Sequence, residues 1–166
     1  MDFLTRVTRH LRDAQAEDPT PMVKGRDVVI LGGGDTGNDC AGSCVRLGAK
    51  SVMQLEMMPR PPVARTEQNS WPQWPKTLKT DYGQEEAAGI WGADPRIYET
   101  TIKEVLTENG HITKVRTAAV RPSGKAGFGV EMVRKQPPAW RPARSWCIIF
   151  PLGTECGRMR VLLCTA

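Results

Sequence analysis

The sequence predicts an α/β fold built on a parallel sheet, and three observations carry that expectation. Val28-Val29-Ile30-Leu31 is an unbroken aliphatic run, as in a strand covered on both faces. Gly32-Gly33-Gly34 ends it, and Asp35-Thr36 opens a helix reaching to about Leu47. Cys40, Ala41, Cys44, Val45 and Leu47 give that helix an apolar face, and Gly48 closes it. Ser51 to Glu56 reads as a second strand. Strand, helix and strand within roughly 30 residues form a crossover unit, so the two strands run parallel with a right-handed connection.

The other elements follow in chain order. Residues 1–24 read as a lead-in helix over 1–13 and a polar connector with Pro19 and Pro21. A domain is expected over 25–133, interrupted at 59–92 by an excursion rich in Pro, Trp and polar residues, in which only Gln84 to Trp91 looks helical. Ile97 to Leu106 and Ile112 to Val120 are β-rich and joined through Glu108-Asn109-Gly110, a hairpin signal. Phe128 to Val133 extends the pair to an antiparallel β-meander. Residues 134–166 form a basic tail rich in Pro, Trp and Cys with no assignable element. The expected architecture is thus an incomplete Rossmann-like dinucleotide-binding domain whose sheet lacks any strand the tail fails to supply, leaving an exposed edge.

Composition narrows the function. At 166 residues the chain is about one domain long, and 40% hydrophobic with 25% charged residues excludes collagen-like, mucin-like and wholly disordered chains. The net charge of +5 is unevenly placed. Residues 1–111 hold 13 Lys/Arg against 16 Asp/Glu, a balance of −3, whereas 112–166 hold 10 against 2, a balance of +8. The tail's Arg residues are interspersed with Pro and Cys and form no helical stripe, so no nucleic-acid partner is expected. Five cysteines without a CxxC pair, beside two His, make neither a disulfide framework nor a zinc site. Cys40 and Cys44 are read as buried small hydrophobes, in a reducing, cytoplasmic setting. No apolar run approaches the roughly 20 residues of a membrane span, and Asp2 and Asp13 argue against reading the amphipathic start as a mitochondrial presequence. His10 and His111 lie in the lead-in helix and beside the hairpin turn, with no nucleophile elbow to complete a triad.

The chemistry points to Gly32-x-Gly34-x-x-Gly37, between a buried strand and a helix. Gly32 permits the tight turn, Gly34 lets the backbone, with Gly33, approach a pyrophosphate, and Gly37 lets the helix lie close on the strand. The pyrophosphate would rest on the helix N-terminus. Asp35, as the cap or first-turn residue, with Thr36 as second candidate, is expected to accept N–H bonds from the start of that helix, and Asp39 lies one turn on; structural roles compete there with orienting a ribose or nicotinamide. Glu56, at the end of the second strand, would hydrogen-bond the adenosine ribose, which alone favours NADH. Arg60 and Arg65 follow within one loop and suit a 2′-phosphate, so the expected cofactor is NADPH, with NADH open.

The string Gly32-Gly33-Gly34-Asp35-Thr36-Gly37-x-Asp39-Cys40, then Pro59-Arg60-Pro61-Pro62, Trp71-Pro72-x-Trp74-Pro75 and Asp81-Tyr82-Gly83-Gln84-Glu85-Glu86-Ala87-Ala88, resembles the small (beta) subunit of NADPH-dependent glutamate synthase over residues 1–120. In that family the resemblance implies an NADPH-binding domain inserted in an FAD-binding domain, with iron-sulfur clusters held by amino-terminal cysteines. It also implies hydride transfer from NADPH to FAD and onward passage of electrons to the large subunit for glutamate biosynthesis. The implied partners are the rest of the small subunit and that large subunit. One GxGxxG is present, and the FAD fingerprint and cluster cysteines are not, so Met1 matches an internal family position. The expected role is a dinucleotide-binding segment without catalysis of its own; the alternative is a stand-alone NAD(P)-binding module without turnover. After Val120 the resemblance fades: Arg141, Arg144, Trp146 and Cys147 stand where a second FAD-contacting segment is expected, and a frame-shifted end would account for it.

Overall fold

A computed structural model describes residues 2–108, 111–122, 130–133 and 146–149. Strands β1 (Asp27–Leu31) and β2 (Ser51–Leu55) pair in parallel, Val28 beside Val52 and Leu31 beside Leu55, with helix α2 (Asp35–Arg46) as the crossover between them. Helix α1 (Asp2–Arg12) precedes this unit. On the outer edge of β2 lies the short β3 (Arg96–Ile97), and on the other side of β1 lies β7 (Trp146–Ile149). The sheet order is therefore β3-β2-β1-β7, all parallel. That is the 3-2-1-4 part of a doubly wound sheet, and its switch point falls beside β1, where such folds bind ligands.

The unbroken apolar run of β1 is explained by what covers each face. Val28 and Ile30 join Val52, Cys40, Ala41 and Cys44 under α2, in a cluster that also takes Phe3, Met22 and Val23 from the first 24 residues. Val29 faces the other way, with Leu55 and Ile112, onto the antiparallel sheet. Each fully buried Val or Ile contributes about 1.5–3 kcal/mol, so both faces of the strand are held by burial. Cys40 and Cys44 are buried in this core, and burial pushes the Cys40 thiol up to about 12, which keeps it protonated and unreactive.

The antiparallel sheet has the order β4-β5-β6, from β4 (Thr100–Glu108), β5 (His111–Pro122) and β6 (Val130–Val133). Glu108 pairs with His111, as the Asn-Gly signal predicts; residues 109 and 110 themselves lie outside the described residues. Two expectations are corrected. Ile97 to Leu106 is not one strand: Arg96–Ile97 belongs to the parallel sheet, and the chain changes sheets at Glu99, whose φ is 51°. Continuous β-propensity cannot reveal which sheet a residue joins, whereas a positive φ at a non-glycine residue breaks the ladder. The tail, read as having no element, supplies β7, so β1 is paired on both sides. A parallel partner distant in sequence leaves no local turn signal.

Helix α3 (Tyr82–Trp91) starts two residues before the expected Gln84, because Asp81 and Gln84 form a reciprocal capping box. Gly92 ends it with φ 78°. The excursion is held by Asn69, which donates to the Trp74 carbonyl at 2.8 Å and accepts from the Lys76 N–H at 2.7 Å. Trp71 and Trp74, by contrast, are 82% and 85% exposed.

Candidate functional site

The site is built at the end of β1. Gly32 has φ 111°, a conformation open to glycine, and there the chain turns off the sheet: its N–H donates to the Leu55 carbonyl at 2.7 Å. Its own carbonyl accepts from Gln54 Nε2 at 2.8 Å. A Cβ on Gly37 would meet that same carbonyl and the Gln54 amide, so the first turn of α2 rests directly on the glycine turn. Gly34 is different. It caps α2 with extended backbone (φ −77°, ψ −173°), and a Cβ there would meet nothing within 4 Å.

Having no side chain, Gly34 gives α2 no side-chain cap, and Asp35, expected as cap or first-turn residue, stands in the first turn. Asp35 occupies the first helical position, one residue too late to fold back onto the first-turn N–H groups. It is exposed, and its charge is felt by Lys79, whose ammonium is raised first by its hydrogen bond to Asp81. The N–H groups at the start of α2 are thus left for solvent or an anion, beside an open backbone face. These residues fit a bound pyrophosphate.

Glu56 closes one side of the loop. Its Oε2 accepts from the Gly33 N–H at 2.7 Å and its Oε1 from the Met58 N–H at 2.8 Å. The structure therefore brings Gly32, Gly33, Gly34, Asp35, Thr36, Gly37 and Glu56 together. The two arginines stand apart. Arg65 turns into the excursion, donating to the carbonyls of Gln73 at 2.8 Å and Asn69 at 3.3 Å. Arg60 is exposed on the loop after β2, where its charge acts on Asp94 and Tyr98.

A buried polar relay behind the loop escaped the sequence reading. Gln54 is wholly buried in β2; its Oε1 accepts from Gln84 Nε2 at 3.3 Å, while its Nε2 holds Gly32. Asn38 Oδ1 accepts from the Gly83 and Gln84 N–H groups at 3.0 and 3.2 Å. Asp39, left between structural and cofactor roles, accepts from the Tyr82 hydroxyl at 2.6 Å, and that bond, with burial, pushes Tyr82 up to about 12. The Asp-Tyr-Gly-Gln string thus docks α3 on α2 and braces the glycine turn. A polar residue between Val52 and Leu55 was the available signal.

Arg96 ties β3 to the end of the excursion, donating to Asp94, to the Lys79 carbonyl at 2.7 Å and to Thr80 Oγ1 at 3.1 Å. Burial pushes the Asp94 carboxyl up, but the hydrogen bonds and charge of Arg96 outweigh it and hold the group below its usual range. A depressed carboxyl stabilises the fold above its unfolded pKa, near pH 4, and loses that contribution as pH falls through the folded value. The stability gap between the parent and Asp94→Asn should then be constant from pH 7 to 5 and shrink below pH 4, as read by urea midpoints.

Among the described residues no group of three or more His, Cys, Asp or Glu could hold a metal ion, and no helix is long and apolar enough to cross a membrane. A parallel sheet with the glycine turn at its switch point defines a Rossmann-like α/β domain. No family model matches the chain. It is 42% identical over 121 residues to the glutamate synthase [NADH] of Saccharomyces cerevisiae, covering 72% of this chain and 6% of that protein. It is 41% identical over 119 residues to the glutamate synthase [NADPH] small chain of Bacillus subtilis (70% and 24%), and 40% identical over 128 residues to that of Mycobacterium tuberculosis (69% and 26%). Over the matched stretch the chain belongs to the glutamate synthase family, as a segment spanning about a quarter or less of the length of these relatives.

Proposed function

We propose that this chain is the nicotinamide-dinucleotide-binding segment of a glutamate synthase small-subunit-like flavoprotein oxidoreductase. The observation that supports it most is Gly34, whose open backbone face and uncapped helix start form a cradle that any side chain would fill. When bound, the dinucleotide supplies a hydride to FAD, and that chemistry belongs to the cofactors. The chain's own part is positioning: Gly33, Gly34 and the start of α2 hold the pyrophosphate, Glu56 takes the adenosine ribose, and the Gln54–Gln84–Asn38 relay keeps the loop in place. No acid, base or nucleophile of this chain is needed for such a step, so the segment by itself binds without turnover. FAD, the iron-sulfur clusters and the contact with the large subunit, in a cytoplasmic enzyme of glutamate biosynthesis, are assigned to other parts of the longer protein.

Relatives named for NADH and for NADPH match at 42% and 41%, so likeness leaves the choice of dinucleotide to the site residues. The test of the general reading is ligand-induced stabilisation. At a dinucleotide concentration of about 100 Kd the folded state should gain about 2.7 kcal/mol. Absence of any shift with either dinucleotide overturns the assignment.

A further inference from the structure

We infer that Lys79, on the excursion, supplies the cation that neutralises the dinucleotide's pyrophosphate at the start of α2. The inference rests on the dinucleotide reading above and adds a residue that the strand-helix-strand unit does not itself carry. Helix α3 meets α2 within one turn of its beginning. The Asn38 N–H makes the first bond of α2, to the Gly34 carbonyl at 3.0 Å, and Asn38 Oδ1 accepts from the Gly83 and Gln84 N–H groups at 3.0 and 3.2 Å. Asp81, the cap of α3, therefore stands beside that first turn. Lys79 is bonded to it, Nζ to Oδ2 at 2.7 Å, and Asp35 at the first position of α2 acts on the same ammonium. The backbone of Lys79 is anchored, because its carbonyl accepts from Arg96 at 2.7 Å and the neighbouring Thr80 Oγ1 accepts from Arg96 at 3.1 Å. A flexible stem thus leaves a fixed point, and its charged end is 75% exposed.

Charge makes such a cation necessary. The cradle gathers carboxylates: Asp35 in the first turn of α2, Asp81 beside it, and Glu56 on the Gly33 N–H. A pyrophosphate adds more negative charge, and the start of a helix offers only about half a positive charge against it. Arg96 and Arg60 share their field with Glu56, on the ribose side of the loop. Lys79 is the cation tied to the α2 side. An ammonium has three donors, so Lys79 can keep Asp81 and still take a phosphate oxygen. Its exposed pair with Asp81 is of a weak kind and yields readily to a second anion. Lysine commonly serves phosphates in this way, as a compact point charge on a mobile stem.

Calorimetric titration of the whole chain with NADH, NADPH and ADP-ribose at low ionic strength tests this without any activity assay. Lys79→Gln should bind all three about tenfold more weakly than the parent, the loss of one hydrogen bond between charged groups, at an unchanged melting temperature. An equal loss for the three ligands places the contact on the pyrophosphate they share. Added salt should weaken the parent more steeply than the variant. Lys79→Arg keeps a cation with several donors and should recover most of the affinity. Lys76→Gln, three residues earlier on the same loop and exposed, should bind as the parent does. A Lys79→Gln protein with parental affinity for every ligand overturns the role of Lys79, as does a loss confined to NADPH, which would put the lysine on the 2′-phosphate instead. An equal loss in Lys76→Gln overturns it too, by reducing the effect to the general charge of the excursion. Failure of the parent to bind any of the three removes the dinucleotide reading itself.

Discussion

Dinucleotide binding by the Gly34→Val variant is expected to fall at least about 100-fold, with only a small loss of stability in the unliganded protein. The backbone at Gly34 is extended, a conformation that valine adopts readily, and a Cβ there would meet no protein atom within 4 Å. The expected cost to the fold is that of a poor helix cap, about 1 kcal/mol or 2–4 °C in Tm. The ligand meets something else: two methyl groups on the face where the pyrophosphate must come against the backbone. Calorimetric titration with NADH, beside a thermal melt of the same variant, separates the two effects. Gly34→Ser, a favoured cap, should keep parental stability and still bind more weakly, and parental affinity in both variants would show that no ligand approaches there.

Gly83→Ala is expected to destabilise the protein by about 2 kcal/mol, although alanine is the better helix former by about 1 kcal/mol. The added Cβ would meet the Asn38 carbonyl, the Gly42 nitrogen at 2.7 Å and Asn38 Oδ1 at 3.0 Å. Two of those three are backbone atoms of α2, which no rotamer change can move, so α3 must lift away, and overpacking of this kind costs about 1–3 kcal/mol or more. The hydrogen bonds from Gly83 and Gln84 to Asn38 would stretch with it. Gly89→Ala, in the same helix, is the control: nothing lies within 4 Å of its Cβ, and it should stabilise by about 0.4–1 kcal/mol. Urea midpoints that move in opposite directions for the two substitutions would establish that close approach of the helices, and not helix propensity, decides at position 83. Because Gln84 holds Gln54 and Gln54 holds Gly32, the Gly83 variant should also bind dinucleotide more weakly.

The crossover unit was legible because its signals are local. An apolar run, a glycine cluster and a helix with small residues on one face lie within a few turns of each other, and each conforms to a backbone requirement: a positive φ at Gly32, close approach at Gly37, an open face at Gly34. The hairpin was legible for the same reason. For Asp35 the sequence left cap and first turn open, because capping depends on a shift of a single residue; the cap position fell to Gly34 and Asp35 to the first turn. Arg65 was placed at the site because residue type and distance along the chain say nothing of direction. In the fold its guanidinium meets carbonyls of the excursion instead.

The sequence by itself thus determined the α/β class, the position of the glycine turn and the family resemblance carried by the Trp-Pro and Asp-Tyr-Gly-Gln strings. Tertiary structure alone decided that Ile97 leaves the meander for the parallel sheet, that Trp146–Ile149 pairs with β1, and that Gln54, Gln84 and Asn38 form one buried relay behind the loop. Parallel pairing and buried side-chain bonds join residues distant in sequence, and their energies arise only once both partners have left water together.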